Sequence, residues 1–201
     1  MLPAFAEAIR ATTQPCTLLL IAPSLVLAII TRGRWAPFAA ICTGAVLGGW
    51  LFIANVVALS NTQLQISGAL VAIAIGVVVA TETVPQLGWA AATALQTSVA
   101  GAVAFVSTLW WRPCIGTELG AILTEARMSL PSQFPGITAY MLGAMVPVLA
   151  VVLALRVVEP EPDTARRAGL VAGGIGIATA AALAIGRHDE LVTVLTRWST
   201  S

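Results

Sequence analysis

Long apolar runs, each closed by polar residues or proline, recur along the whole chain. A bilayer core is crossed by a helix of about 20 apolar residues, so these runs predict membrane spans. The first extends from Cys16 to Ile30 and ends at Arg32 and Arg34. Others cover roughly Trp35 to Leu59, Leu64 to Ala80, Ala91 to Leu109, Ile137 to Val157 and Ala168 to Ile185. The fourth is unusual, because Trp110, Trp111, Arg112, Pro113 and Cys114 follow it and a further helical pattern then runs from Ile115 to Ala126. Proline lacks a backbone donor and turns its predecessor away from helix, so Pro113 is expected to break this segment into two halves. Backbone freed in a bilayer is tolerated only where it faces protein or a wet cavity, which makes the break a candidate site.

The flanks are amphipathic. Residues 1–15 carry Glu7 and Arg10 among Leu2, Phe5, Ala8 and Ile9 and predict a partly inserted half-helix. A cleaved signal would need a basic leader and a small-x-small exit, so the first span is expected to be retained. From Arg187 to Ser201, Leu191, Val192, Leu195 and Trp198 alternate with charges and hydroxyls, which predicts an interfacial helix.

Composition sharpens this picture. Of 201 residues 58% are apolar and 9% charged, against about 25% charged in soluble domains. With mean hydropathy +0.93 and net charge +1, the chain is neither a water-soluble globule nor a basic nucleic-acid surface. Three cysteines with no CxxC or Cys/His cluster exclude a disulfide-dense scaffold and a zinc site. No metal and no cofactor are expected. The expected fold is all-α: a single polytopic domain over residues 1–201, six transmembrane helices in the lipid bilayer.

The chain also repeats itself. Pro15-Cys16 lies over Pro113-Cys114 at an offset of 98, Gly44-Ala45 over Gly143-Ala144 at 99, and the run from Leu70 to Val77 over Leu170 to Ile177 at 100. The order is collinear, which predicts repeat one over about residues 1–82, repeat two over about 91–186, and the tail 187–201. Three spans per repeat is an odd number, so the second copy is expected to be inverted, with its first helix, like that of repeat one, discontinuous. Gly44, Gly48, Gly169 and Gly173 are spaced for close helix packing. Charge hardly orients the chain. The loops holding Arg32, Arg34, Arg156, Arg166 and Arg167 are set against Arg10, Arg127, Arg187 and Arg197, and the small excess places the first set in the cytoplasm.

The candidate chemistry sits at the symmetric breaks. Cys16 and Cys114, each behind a proline, are placed to meet across the pseudo-two-fold axis, where thiol–disulfide exchange needs no cofactor. Cys42 lacks a proline and a counterpart and reads as a small apolar core residue. Arg112 would favour the Cys114 thiolate, and Glu118, one turn beyond, could take or return a proton. Alternatively Arg112 snorkels to headgroups and Glu118 pairs with an arginine. Repeat one has Gln14 and Leu20 at the matching places. Glu82 and His188 fall at expected helix ends, where a titratable residue meets water. The acidic, proline-rich turn from Val158 to Asp163 reads as a solvated loop.

The segment from Trp111 to Leu123, WRPCIGTELGAIL, resembles the PCxGPxLGAIL segment of the CcdA/DsbD family of membrane electron transporters, and Gln14 to Pro23 resembles its PCxLPLLP segment. The likeness is closest to the short six-span CcdA type. It implies a multi-pass protein of the inner (cytoplasmic) membrane. There, a reversible Cys16–Cys114 disulfide would pass reducing equivalents from cytoplasmic thioredoxin to an extracytoplasmic thioredoxin-like protein or apocytochrome c pathway. Pro15, Pro113 and Gly116 would shape the two breaks. Leu19 and Thr117 stand where the family has further prolines, and the first motif's later proline is displaced to Pro23. A competing reading is a small-solute or cation exporter with Arg112 and Glu118 as its site and incidental cysteines. A third is a non-catalytic subunit of a larger membrane complex.

Overall fold

A segment surrounded by hydrocarbon must satisfy its own backbone polar groups, and the helix does so within one run of chain. The structure, a computed structural model, describes residues 1–12, 14–54, 61–83, 89–110, 117–126, 129–187, 190 and 193. Among these the helices are α1 Leu2–Ala11, α2 Pro15–Ile30, α3 Trp35–Ile53, α4 Asn61–Thr83 and α5 Trp89–Leu109, followed by α6 Thr117–Ala126, α7 Leu130–Ala144, α8 Val146–Val158 and α9 Pro162–Ala184. Four of them, α3, α4, α5 and α9, are long and apolar enough to cross a membrane, and α7 with α8 makes a fifth candidate. The chain is therefore an all-helical, multi-pass membrane protein with four to five such helices among its described residues. α2 is apolar but shorter, with Pro23 inside it.

The boundaries depart from the hydropathy pattern where local chemistry intervenes. α3 closes at Ile53, and the remainder of the expected second span beyond Ala54, 55–59, lies outside the described residues. α9 starts at Pro162, six residues before the apolar run, because Pro162 and Asp163 suit the first helical turn and carry Arg166 and Arg167 into the helix. The fifth expected span is bent by 42° between α7 and α8. Pro147 cannot donate to Gly143, so Met145 ends α7 by donating to Met141 and Leu142. Breaks were expected in the first and fourth segments; the one expected at Pro113 lies outside the described residues, and the bend falls in the fifth.

Small residues set how the helices pack. A Cβ added at Gly44 would overlap the Gly101 carbonyl of α5, and one at Gly48 would overlap the Thr108 hydroxyl, so α3 and α5 touch backbone to backbone. Gly143 of α7 lies equally close to the Phe5 carbonyl of α1. Gly68 of α4 meets Ala180 and Ala184 of α9, and Gly173 of α9 meets Val79 of α4. Without a hydrophobic drive between helices in lipid, such close approaches supply the dispersion contacts that hold a bundle. Leu20, Ile21, Leu27, Ile41, Ile75, Tyr140 and Met141 fill the interior. Ile73, Val157, Val171 and Ile175 are more than half exposed, an outer surface suited to acyl chains and not to water.

The bundle has two distinct ends. At one, α2, α4 and α8 finish and α3, α5 and α9 begin, with Gly33 against Val152 and Ile30 against Gly169. At the other, the end of α3 meets α7 through Trp50 Nε1 donating to Thr138 Oγ1 at 2.8 Å. There too the end of α5 meets α4 through Trp110 Nε1 donating to Ser67 Oγ at 2.6 Å.

Candidate functional site

Cys16 is the second residue of α2, directly behind Pro15. Proline at the first helical position forfeits no intrahelical bond and presets its dihedral angle, and Gln14 before it is extended at φ −80° and ψ 140°. The chain thus enters α2 from an extended residue, and the cysteine falls in the first turn, where backbone N–H groups lack helical acceptors. The described part of α6 begins at Thr117, three positions beyond Cys114 of the second Pro-Cys pair. Arg112, Pro113, Cys114 and Gly116 lie outside the described residues. Glu118 is the second residue of α6.

At the start of α6 the structure places a residue that the sequence did not single out as part of the site. The Glu7 carboxylate of α1 accepts the backbone N–H of Leu119 at 3.4 Å. An acidic side chain there faces the positive end of the helix dipole and takes a donor that α6 itself cannot satisfy. The amphipathic first segment is therefore held inside the bundle, with Ala4, Ala8 and Ala11 buried. Its charge within an apolar stretch was the available signal. Cys42 sits half-buried in α3 as a free thiol packed against the core, in keeping with a core role.

The opposite end holds a second polar group of residues. Gln96, 1% exposed in the middle of an apolar run, donates from Nε2 to Glu82 Oε1 at 2.8 Å and to Thr81 Oγ1 at 3.0 Å. It accepts from Arg34 Nη1 at 2.7 Å. Glu82 also pairs with Arg34 at 3.3 Å and Arg32 at 3.6 Å. Glu82 is thus enclosed by α2, α3 and α5 and not simply hydrated, because the tertiary fold brings two arginines to it. A glutamine inside a predicted span marks such a network, since an unpaired amide in hydrocarbon is costly.

His188 and most of the expected interfacial tail lie outside the described residues, while Arg187 and Glu190 form an exposed pair at 3.6 Å. No group of three or more His, Cys, Asp or Glu able to hold a metal occurs among the described residues. No protein-family model, curated protein or solved structure matches this chain.

Proposed function

We propose that the chain is a six-span thiol–disulfide electron transporter of the inner membrane, resembling the CcdA/DsbD family and built from two inverted repeats. The observation that carries the reading is the recurrence of the Pro-Cys pair in the sequence, Pro15-Cys16 and Pro113-Cys114 at an offset of 98. Cys16 opens α2 behind Pro15, while Cys114 lies outside the described residues, three positions ahead of Thr117. Each half also carries a long apolar helix near its end, α4 in one and α9 in the other. Cross-packing supports the inversion. Gly44 of α3 lies against Gly101 and Phe105 of α5, and Gly143 of α7 lies against Phe5 and Ala8 of α1. Phe5 and Phe105 stand at the repeat offset of 100.

In this reading a thiolate of reduced cytoplasmic thioredoxin attacks one sulfur of the Cys16–Cys114 disulfide. The S–S bond breaks as a mixed disulfide forms, and the displaced cysteine leaves as a thiolate. The second thioredoxin thiol resolves the mixed disulfide, so thioredoxin departs oxidised and the pair is left as a dithiol carrying two electrons and two protons. The same steps in reverse reduce an extracytoplasmic thioredoxin-like protein or the apocytochrome c pathway.

The test is a thiol-alkylation mass shift in native membranes, with and without reduced thioredoxin, in a Cys42→Ala background. The expected result is a Cys16–Cys114 disulfide that thioredoxin opens, and a trapped mixed disulfide when the thioredoxin added lacks its resolving cysteine. Two thiols that stay free under oxidant and form no mixed disulfide would overturn the reading.

A further inference from the structure

A cavity of about 680 Å³ lies at the end of the bundle where α2 and α8 finish and α3 and α9 begin. Arg32, Arg34 and Arg156 line it together with apolar side chains that include Ile29 and Leu155, and Glu159 is its acidic member.

The backbone there is arranged around the arginines. α2 closes with paired hydrogen bonds, Arg32 N–H to Ile29 O at 3.1 Å and Gly33 N–H to Ala28 O at 2.9 Å. That closure normally gives glycine the left-handed position, yet here Arg32 adopts it at φ +53°. Gly33 follows at φ +65°, and a Cβ there would lie 2.9 Å from the Val152 carbonyl. The turn therefore seats on α8, and its Gly33 carbonyl accepts Arg156 Nε at 3.1 Å. Two guanidinium groups from distant parts of the chain are brought to one cavity by a turn that holds an arginine in a conformation side chains seldom adopt.

Arg32, Arg34 and Arg156 outnumber the nearby carboxylates of Glu82 and Glu159 by one. The single Glu82 carboxylate serves both Arg32 and Arg34, and Arg156 has no carboxylate within ion-pair reach among the described residues. Glu159 is exposed at the rim. Arg166 and Arg167 lie at the same end, offset by Glu161 and Asp163, and do not line the cavity. Exposed Trp35 lines the cavity and Val157 and Val158 nearby are exposed too, and an indole ring suits the headgroup level. Guanidinium groups offer planar paired donors to phosphate oxygens, and an apolar wall beneath them suits a lipid stem. Basic pockets between transmembrane helices take phosphate-bearing headgroups by this chemistry.

We propose that this cavity binds a membrane phospholipid, its phosphodiester between Arg32 and Arg156 and its glycerol–acyl stem against Ile29 and Leu155. The site is independent of the cysteines.

Native mass spectrometry of the full chain tests it, with phosphatidylglycerol and, separately, inorganic phosphate as probes. The wild type is expected to retain one phosphatidylglycerol, and R32Q/R156Q to lose about tenfold in affinity. R166Q/R167Q removes the same charge from residues that do not line the cavity and is expected to bind as the wild type does, as is C16S/C114S. Ala168→Trp, which narrows the cavity while keeping both arginines, is expected to lower lipid retention. It decides the matter if the double glutamine variant does not fold. Undiminished retention in R32Q/R156Q or Ala168→Trp would overturn the site. So would equal losses in both arginine pairs, or capture of inorganic phosphate with no lipid retained.

Discussion

At one end of the bundle α2 closes through a left-handed Arg32, and at the other α9 closes through a left-handed Gly186. The two helices close with the same pair of hydrogen bonds: Gly33 to Ala28 and Arg32 to Ile29 in α2, Arg187 to Ala182 and Gly186 to Leu183 in α9. Gly186 takes the left-handed position at φ +81° and lies so close to Gln65 of α4 that a Cβ would sit 2.8 Å from its amide nitrogen. Arg32 takes the same position with a long charged side chain. Around Gly186 two tryptophans bond to hydroxyls, and the described charges there, Arg187 and Glu190, are exposed. Around Arg32 charges are drawn inward to Gln96 and Glu82 and a cavity stays open. One closure geometry therefore accommodates either a glycine packed against a neighbouring helix or an arginine drawn into a polar cluster.

The largest effect on this contrast is expected from Glu82→Leu. It leaves Arg32, Arg34 and Gln96 without their shared acceptor and lowers stability by about 3 kcal/mol, the scale for breaking a shielded charge network. Unfolding in a detergent–denaturant titration measures it, and a variant as stable as the wild type would show the network to be energetically idle. Next comes Trp110→Phe at the Gly186 end, which removes the bond to Ser67 and is expected to cost about 1 kcal/mol. Ser67→Ala should cost the same, and the double variant no more than either single one.

The two closures themselves should respond with opposite signs. Gly186→Ala is expected to destabilise by about 1 kcal/mol, because a Cβ is strained at positive φ. Arg32→Gly is expected to stabilise by a similar ~1 kcal/mol. Its pair with Glu82 is long and its side chain 42% exposed, so losing that pair removes little. Thermal midpoints of the two variants, compared with the wild type, read both signs. The smallest effect belongs to Arg187→Gln, which breaks an exposed pair with Glu190 and should change stability by less than about 0.5 kcal/mol.

Much of the fold was legible from residue pattern. Apolar runs located every long helix, and glycine spacing at Gly44, Gly48 and Gly173 marked real close contacts. Pro147 was less legible, since a proline in an apolar run can end, kink or merely start a helix, and only the 42° bend distinguishes these. Of the candidate site, Pro15 and Cys16 fall in the first turn of α2, where the Pro-Cys pair had marked a break. Glu7 was legible only as a charge on an amphipathic segment, because its partner, the Leu119 N–H, is 112 positions away.

The sequence by itself determined that this chain is helical and lives in a bilayer. Those properties depend on hydrophobic length and on backbone self-satisfaction, which are local sums over neighbouring residues. The tertiary structure alone decided that Glu82 is enclosed, that Glu7 meets α6, and that Arg32 and Arg156 share one cavity. Each depends on which helix ends come together, and that is settled by close packing between residues far apart in the chain, where small residues such as Gly33 and Gly44 let backbones meet.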